Sequence, residues 1–174
     1  MNYATIKNCD IANGLGVRVS LFVSGCTHHC KGCFNEVAWD FNYGNPFDEQ
    51  IQQELLEMLK PAYIKGLSLL GGEPFEIENQ KALLPFIRKF KNLYPNKDIW
   101  AYTGYIYEKD LLQPSRAYYE GTKELLSYID VLVDGPFILA QKDISLKFKG
   151  STNQRLIDVK KSLKENKVVL FEIE

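Results

Sequence analysis

Long apolar runs are absent from this chain, and no stretch approaches the length needed to span a bilayer. The first residues, MNYATIKNCDIANG, are polar and contain no apolar signal core. An excess of one charge is also lacking, because 21 Lys and Arg residues oppose 22 Asp and Glu residues, for a net charge of -1. We therefore expect a cytoplasmic protein with no nucleic-acid partner and no membrane partner.

Nucleotide-binding motifs are missing as well. The sequence contains no G-x4-GK-[ST] phosphate loop. The G-x-G of NGLGVRV precedes a predicted strand, whereas the glycines of a dinucleotide fingerprint follow one. The chain is therefore not expected to bind a nucleotide through either motif.

Cysteine is scarce, with four residues, yet Cys26, Cys30 and Cys33 lie within eight positions of one another. Thiols stay reduced in the cytoplasm, so such a cluster favours metal binding or catalysis over a disulfide. A closed zinc site needs four ligands, usually from two short pairs, and no second pair of cysteines is present. His28 and His29 could complete the set, so a zinc site stays an alternative.

A cubane iron–sulfur cluster accounts for three thiol ligands better than a zinc ion does. Each of its four irons needs an outside ligand, so three cysteines leave one iron open to a small molecule. In this interpretation Cys26, Cys30 and Cys33 are the cluster ligands, and the two histidines are loop residues, exposed or hydrogen-bonded. Cys9 is distant in sequence and is predicted to be a small buried residue near the first strand.

Strand and helix patterns alternate along the chain, which predicts an α/β fold with parallel strands and covering helices. The predicted strands are VRVSLFVSG (17–25), GLSLLGGEP (66–74), DIWAYTGY (98–105) and DVLVDGPF (130–137). The predicted helices are 47–60, 79–94 with Pro85 inside, and 115–129, mainly in its second half. We expect one domain, 1–174, in which 138–174 is a C-terminal extension. It holds a candidate helix (155–167) and a candidate last strand or docked extension (168–173).

Four loops follow these strands: the cysteine loop, GGEP (71–74), TGY (103–105) and DGPF (134–137). Functional loops of parallel sheets gather at the carboxyl ends of the strands. We therefore expect the four loops to converge at one edge of the sheet.

The Cys-x3-Cys-x2-Cys motif, followed by GGEP after the next strand, resembles the radical S-adenosylmethionine superfamily. The segments NGLGVRVSLFVSGC, CKGCFN, KDIWAYTGY, VLVDGPF and GSTNQR resemble the anaerobic ribonucleotide reductase activating proteins, and they run from about residue 8 to residue 155. The resemblance implies a partial, open (β/α) barrel, with about four to five parallel strands by the pattern above. It also implies a radical S-adenosylmethionine oxidoreductase.

The resemblance implies a mechanism and partners. S-adenosylmethionine would bind the open iron of a [4Fe-4S] cluster and be cleaved by one electron. The 5′-deoxyadenosyl radical would then take hydrogen from a backbone glycine of the large subunit of anaerobic ribonucleotide reductase. A flavodoxin-like donor would supply the electron.

The resemblance also points to cofactor-binding residues beyond the cysteines. Gly71 and Gly72 would let the backbone approach the methionine part of the cofactor, because glycine has no Cβ to block it. Glu73 would add negative charge near the cofactor's ammonium, or would be exposed. The TGY and DGPF loops would line the cofactor site.

The adenine contact is less defined by the resemblance. Many members of the superfamily carry an aromatic residue where this chain has Gly32, so we expect backbone atoms of Gly32, Cys33 and Phe34 near the adenine. Phe34 would otherwise be a core residue. The NQR segment (153–155) matches the family's tail motif and either packs the tail, holds the partner or lies on the surface.

Two alternatives remain open. The cluster motif does not separate a reductase activase from a pyruvate formate-lyase activating type or from a maturase of another subgroup. A non-catalytic zinc-binding module is the second alternative.

Overall fold

The computed structural model describes residues 1–173, within which seven strands form one sheet beside four α-helices. The strands are β1 (Asn2–Asp10), β2 (Val17–Val23), β3 (Asn45–Pro46), β4 (Ile64–Gly71), β5 (Asp98–Tyr102), β6 (Val131–Asp134) and β7 (Arg155–Asp158). The α-helices are α1 (Glu49–Leu59), α2 (Ile77–Leu93), α3 (Thr122–Tyr128) and α4 (Val159–Glu165). Two 3₁₀ turns (Glu36–Trp39 and Leu139–Gln141) and one π-helical turn (Tyr107–Leu111) lie between them.

The sheet has the order β3-β1-β2-β4-β5-β6-β7. The four central strands β2, β4, β5 and β6 are parallel, whereas β1 and β7 pair antiparallel on either side of them. The predicted α/β class and the four predicted strands are confirmed. Each of these strands ends two or three residues before its predicted end, because the terminal Gly and Pro residues belong to the loops.

Strand β1 was not predicted, because NYATIKNCD is polar and lacks a regular apolar alternation. Its position depends on long-range pairing with β2, such as Ile6 opposite Leu21. The pairing shifts register near the end of β1, where Cys9 has a φ of 57° and is exposed. The prediction of a buried Cys9 is therefore wrong, because the irregular end of β1 turns this side chain toward solvent.

The predicted helices are present with changed bounds. Helix α1 begins after Asp48, whose side chain accepts a hydrogen bond from the Ile51 N–H at 3.0 Å. Helix α2 continues through Pro85, and α3 covers only the second half of the predicted segment. In the part of the chain that the structure describes, no helix has both the length and the apolar content that crossing a membrane requires.

The C-terminal region differs most from expectation. The segment predicted as one helix divides into strand β7 and helix α4, because Asp158 ends the strand and caps the helix by accepting from the Lys161 N–H at 3.0 Å. Residues 168–173 add one isolated bridge to β7, and Phe171 packs edge-on against Trp100 at 5.5 Å between ring centroids. This segment is therefore a docked extension rather than a full strand.

The two faces of the sheet are covered differently. The main core lies between one face and all four described helices, and it includes Val19, Leu21, Leu67, Leu69, Ile99, Leu132, Leu55, Leu83, Phe90, Leu126 and Val159. A smaller cluster of Trp100, Val131, Val133 and Leu156 lies on the opposite face, against Leu15, Phe148 and Phe171. Loops and the C-terminal extension, instead of helices, therefore cover this second face.

Candidate functional site

The loops that follow β2, β4, β5 and β6 meet around a cavity of about 450 Å³. Its lining includes Cys26, Cys30, Cys33, Gly71, Gly72, Glu73, Thr103, Gly104, Gly135 and Phe137. This volume is within the range of small-molecule sites. The predicted convergence of the four loops at one sheet edge is confirmed.

All three clustered cysteines line the cavity, with Cys26 buried and Cys30 and Cys33 half-buried. Burial raises the pKa of Cys26 to about 12 and also raises the pKa of Cys30. Both thiols are therefore neutral near pH 7 in the metal-free protein, and metal binding would release their protons. Within residues 1–173 no three His, Cys, Asp or Glu side chains gather around a single ion position.

Contacts with the returning chain hold the cysteine loop. The Cys26 N–H donates to the Trp39 carbonyl at 3.1 Å, and Cys33 Sγ accepts from the Asn35 N–H at 3.4 Å. His29 stacks on Trp39, with 4.4 Å between the ring centroids. These contacts give the loop a defined shape, and His29 is a loop residue as predicted.

The glycine pair at the end of β4, Gly71 and Gly72, lies against the start of this loop. Gly71 has a φ of 113°, a conformation that favours glycine, and the Gly72 N–H donates to the Val23 carbonyl at 2.8 Å. A Cβ on Gly72 would lie 2.6 Å from the Gly25 carbonyl oxygen and 2.7 Å from that of Ala38. Glycine here allows close backbone packing beside the cavity, and the approach of a cofactor to the same turn stays a prediction.

Glu73 is buried, with 1% exposure, so the alternative of an exposed Glu73 is wrong. Its Oε1 accepts hydrogen bonds from His28 Nε2 at 2.7 Å, Thr103 Oγ1 at 2.9 Å and the Gly104 N–H at 2.7 Å. Its Oε2 accepts from the Phe75 N–H at 2.9 Å. The carboxylate therefore joins three of the four loops, and its contact with a ligand ammonium stays a prediction.

Polar residues at the start of α2 also tie the loops together, and the sequence patterns did not single them out. Both the N–H and the hydroxyl of Thr27 donate to Glu76 Oε1, at 2.8 and 2.7 Å. Asn79 Nδ2 donates to the carbonyls of Ser24 and Glu73, both at 2.9 Å. In the sequence, Glu76 and Asn79 are marked only as two polar residues at the start of an amphipathic helix.

The predicted adenine-binding stretch lies on the cavity rim. Gly32, Cys33 and Phe34 all line the cavity, but the Phe34 side chain is 88% exposed. The alternative of Phe34 as a core residue is therefore wrong, because the loop carries it outward. Ile144 also lines the cavity and is 93% exposed, so two large apolar side chains border its opening.

The tail motif packs against the DGPF turn. Asn153 Nδ2 donates to the Pro136 carbonyl at 2.8 Å, and Gln154 Nε2 donates to the Gly135 carbonyl at 2.9 Å. Gln154 Oε1 also accepts from the Gly150 N–H at 2.8 Å. Among the roles considered for this motif, packing is the one that these contacts support.

Arg155 completes the same arrangement with charge. Its guanidinium donates to both Asp134 oxygens, at 2.9 and 2.6 Å, and to both Glu108 oxygens, at 3.2 and 2.7 Å. These hydrogen bonds hold the pKa of Glu108 below its ordinary value. The turn after β6 is thus attached to β7 and to the π-helical turn.

Comparison with known families first defines a class. Residues 12–157 match the family described as "4Fe-4S single cluster domain". The matched span contains the cysteine loop and the three other loops around the cavity. The chain is therefore a mixed α/β protein with a 4Fe-4S domain, which supports an iron–sulfur cofactor.

Named relatives narrow this class. The chain is 45% identical over 159 residues to the anaerobic ribonucleoside-triphosphate reductase-activating protein of Pasteurella multocida (strain Pm70), covering 88% of this chain and 95% of the relative. Proteins of the same name match at 40% over 158 residues in Enterobacteria phage T4 (90% and 93% covered) and at 39% over 156 residues in Escherichia coli K12 (88% and 96%). The chain belongs to the family of anaerobic ribonucleoside-triphosphate reductase-activating proteins, as its motifs predicted.

Proposed function

We propose that this chain activates an anaerobic ribonucleotide reductase by forming a glycyl radical on the reductase's large subunit. The observation that carries the proposal is the placement of Cys26, Cys30 and Cys33 along one cavity at the carboxyl ends of parallel strands. The names of the relatives support the reductase as the target. The proposed activity is that of a radical S-adenosylmethionine oxidoreductase.

The side chains of the cavity fit a [4Fe-4S] cluster with one open iron. Thiolates are the usual ligands of such clusters, and three of them line the cavity. His28 and Glu73 are also potential ligands, but they are hydrogen-bonded to each other at 2.7 Å. The three cysteines are thus the proposed cluster ligands, and S-adenosylmethionine is the proposed ligand of the remaining iron.

When bound, the cluster would supply the electron that cleaves S-adenosylmethionine, and the 5′-deoxyadenosyl radical would take a hydrogen atom from the target glycine. The protein's part is to bind and orient the cluster and S-adenosylmethionine and to shield them. Backbone atoms of Gly71 and Gly72 are proposed to hold the methionine part, with the charge of Glu73 behind them. Backbone atoms of residues 32–34 are proposed to contact the adenine.

We also propose that the whole chain acts as a single radical S-adenosylmethionine domain whose parallel strands curve into a partial, open (β/α) barrel. The order β2-β4-β5-β6 advances in one direction, and all four described helices contribute to the core on one face of the sheet. Doubly wound sheets instead reverse their strand order and carry helices on both faces. The cavity, whose lining includes Val133 and Phe148 of the smaller cluster, then lies on the side of the sheet without helices.

The reductase's glycine-bearing segment is proposed to enter the cavity between the exposed side chains of Phe34 and Ile144. A radical of this kind is too reactive to travel, so the target glycine must reach the cavity itself. Exposed apolar residues at the rim of a cavity favour contact with a protein partner over contact with water. A flavodoxin-like electron donor is proposed from the family resemblance.

Anaerobic reconstitution with iron and sulfide, followed by dithionite, S-adenosylmethionine and the reductase's large subunit, tests the proposal. We expect 5′-deoxyadenosine as a product and a glycyl radical signal by electron paramagnetic resonance on the reductase. Stoichiometric zinc without sulfide, and no cleavage of S-adenosylmethionine, would establish the zinc-binding module instead. Cleavage that activates pyruvate formate-lyase and leaves the reductase without a radical would establish the other activase type.

A further inference from the structure

His28 lies between the first two cysteines, and other side chains hold its imidazole ring on three sides. Nε2 is 2.7 Å from Glu73 Oε1, and Nδ1 is 3.4 Å from Arg116 Nη2. The ring packs edge-on against Tyr105, with 4.3 Å between the centroids. Only 11% of the side chain is exposed. These contacts leave the ring little freedom to rotate.

The partners of His28 determine where its proton lies. Arg116 can only donate, so Nδ1 accepts and Nε2 carries the hydrogen that is donated to Glu73. Glu73 Oε1 meanwhile accepts from Thr103 Oγ1 and the Gly104 N–H. An imidazole with its hydrogen on Nε2 therefore satisfies both of its neighbours, and it completes a three-donor arrangement around one carboxylate oxygen.

Building on the proposed function, we propose that His28 is a positioning residue that locks the cysteine loop to the GGEP turn and to the loop after β5. Its Nε2–H donates to Glu73 in the GGEP turn. Glu73 in turn accepts from Thr103 and Gly104 in the loop after β5. This hydrogen bond adds to those of Thr27 and Asn79 and links the proposed cluster-binding loop to the turn assigned to the methionine part of S-adenosylmethionine. His28 acts through Glu73 and is not itself assigned to iron or substrate.

Gly104 provides independent support for this lock. A Cβ at position 104 would lie 2.7 Å from His28 Cδ2 and 2.8 Å from His28 Nε2. The ring cannot retreat easily, because Glu73 and Tyr105 lie against it. The loop after β5 therefore approaches His28 so closely that only glycine fits at position 104, and an alanine there would displace the ring.

Three variants separate the hydrogen bond from general packing. His28→Ala removes the donor, His28→Gln keeps an N–H donor on a side chain that reaches a similar distance, and Gly104→Ala pushes the ring away. We expect amides of residues 26–33 and 103–105 to exchange hydrogen about tenfold faster in metal-free His28→Ala than in wild type, and at near wild-type rates in His28→Gln. Thermal unfolding of each variant checks that the fold is retained.

The reconstituted protein supplies the second readout. We expect His28→Ala and Gly104→Ala each to weaken the equilibrium binding of S-adenosylmethionine by about tenfold, the effect of one hydrogen bond to a charged group. The change that S-adenosylmethionine produces in the spectrum of the reduced cluster should shrink in parallel. His28→Gln should restore both, which a role in ring packing alone would not do.

A double-mutant cycle makes the inference falsifiable. Adding Gly104→Ala to His28→Ala should cost little further affinity, because no ring remains for the new methyl group to meet. Full additivity of the two losses, or wild-type exchange and affinity in His28→Ala, would overturn the lock while leaving the proposed function intact. Failure of the wild-type cluster to cleave S-adenosylmethionine would overturn the proposed function, whereas the exchange experiment on the metal-free protein would still report on the lock.

Discussion

The two faces of the central sheet use the same strands for different purposes. Along β2, Val19 and Leu21 enter the apolar core under the helices, whereas Arg18 and Ser20 alternate with them on the face that carries the cavity. Both sets are fully buried. One face is therefore stabilised mainly by apolar packing, whereas the other combines a smaller apolar cluster with buried polar groups that need specific partners.

Arg18 shows how the second face satisfies a buried charge. Its Nε donates to Ser68 Oγ at 2.7 Å, and its Nη1 and Nη2 donate to the carbonyls of Leu15 and Leu67, both at 2.9 Å. Nη2 also lies 2.6 Å from Asp98 Oδ1, as an ion pair. We therefore expect the helix-covered face to tolerate apolar substitutions of similar size, whereas Arg18 on this face depends on its specific partners.

Removal of one proposed cluster ligand should have the largest effect, and this effect should be confined to the cavity face. Cys26→Ala, Cys30→Ala or Cys33→Ala should each abolish 5′-deoxyadenosine formation after reconstitution, because the cluster loses a proposed ligand. Cys9→Ala is the matched control, because Cys9 is exposed and should leave product formation unchanged. Wild-type product yield from any of the three cavity variants would contradict the ligand assignment.

Phe90→Ala should destabilise the core under the helices without a direct effect on the cavity. Phe90 is fully buried in the main core, so its loss should lower the free energy of unfolding by about 3–5 kcal/mol. Urea unfolding measures this change. Leu93→Ala on the same helix is the control, because Leu93 is 56% exposed and its loss should change stability by less than about 0.5 kcal/mol.

Arg18→Met should test whether the cavity face depends on its buried charge. The substitution keeps an apolar stem but leaves the carbonyls of Leu15 and Leu67 without their donor and the carboxylate of Asp98 without its ion-pair partner. We expect a loss of about 3 kcal/mol in the free energy of unfolding. An unchanged urea midpoint would show that this face packs as tolerantly as the other.

Ile144→Ser should affect the rim and leave both faces folded. Because Ile144 is 93% exposed, cleavage of S-adenosylmethionine in the absence of the reductase should stay at the wild-type rate. Glycyl radical formation on the reductase should fall about fivefold, the effect of losing about 1 kcal/mol of interface contact. Tyr63→Ser is the control, since Tyr63 is 65% exposed just before β4, at the strand end away from the cavity. Equal radical yields from both variants would remove Ile144 from the docking surface.

The smallest expected effect is a change in the free energy of unfolding at low pH. Arg155 lowers the pKa of Glu108 below its ordinary value near 4.5, so the ionised pair stabilises the fold above that pH and stops doing so as the pH falls through the lowered pKa. Wild type should therefore exceed Arg155→Gln in unfolding free energy at pH 7, and part of this difference should vanish below about pH 4. Urea unfolding at both pH values measures it. A pH-independent difference would mean that Arg155 acts through neutral hydrogen bonds alone.

Much of the site could be predicted because its signals are local. The spacing of Cys26, Cys30 and Cys33 and the glycines of GGEP are readable within a few residues, and four apolar runs locate the parallel strands. The exposure of Phe34 and Cys9 could not be predicted in this way, because side-chain burial depends on what the loop or strand end meets after folding. The bond between His28 and Glu73 spans 45 positions, and no local pattern marks it.

By itself, the sequence determined the chemistry, since three thiols and two adjacent glycines carry their ligand and backbone properties wherever they lie. Tertiary structure alone decided that β1 joins the sheet, that Arg155 anchors the turn after β6, and that His28 faces Glu73. The physical reason is that the free energy of a long-range hydrogen bond or ion pair depends on partners and burial that only the folded chain brings together.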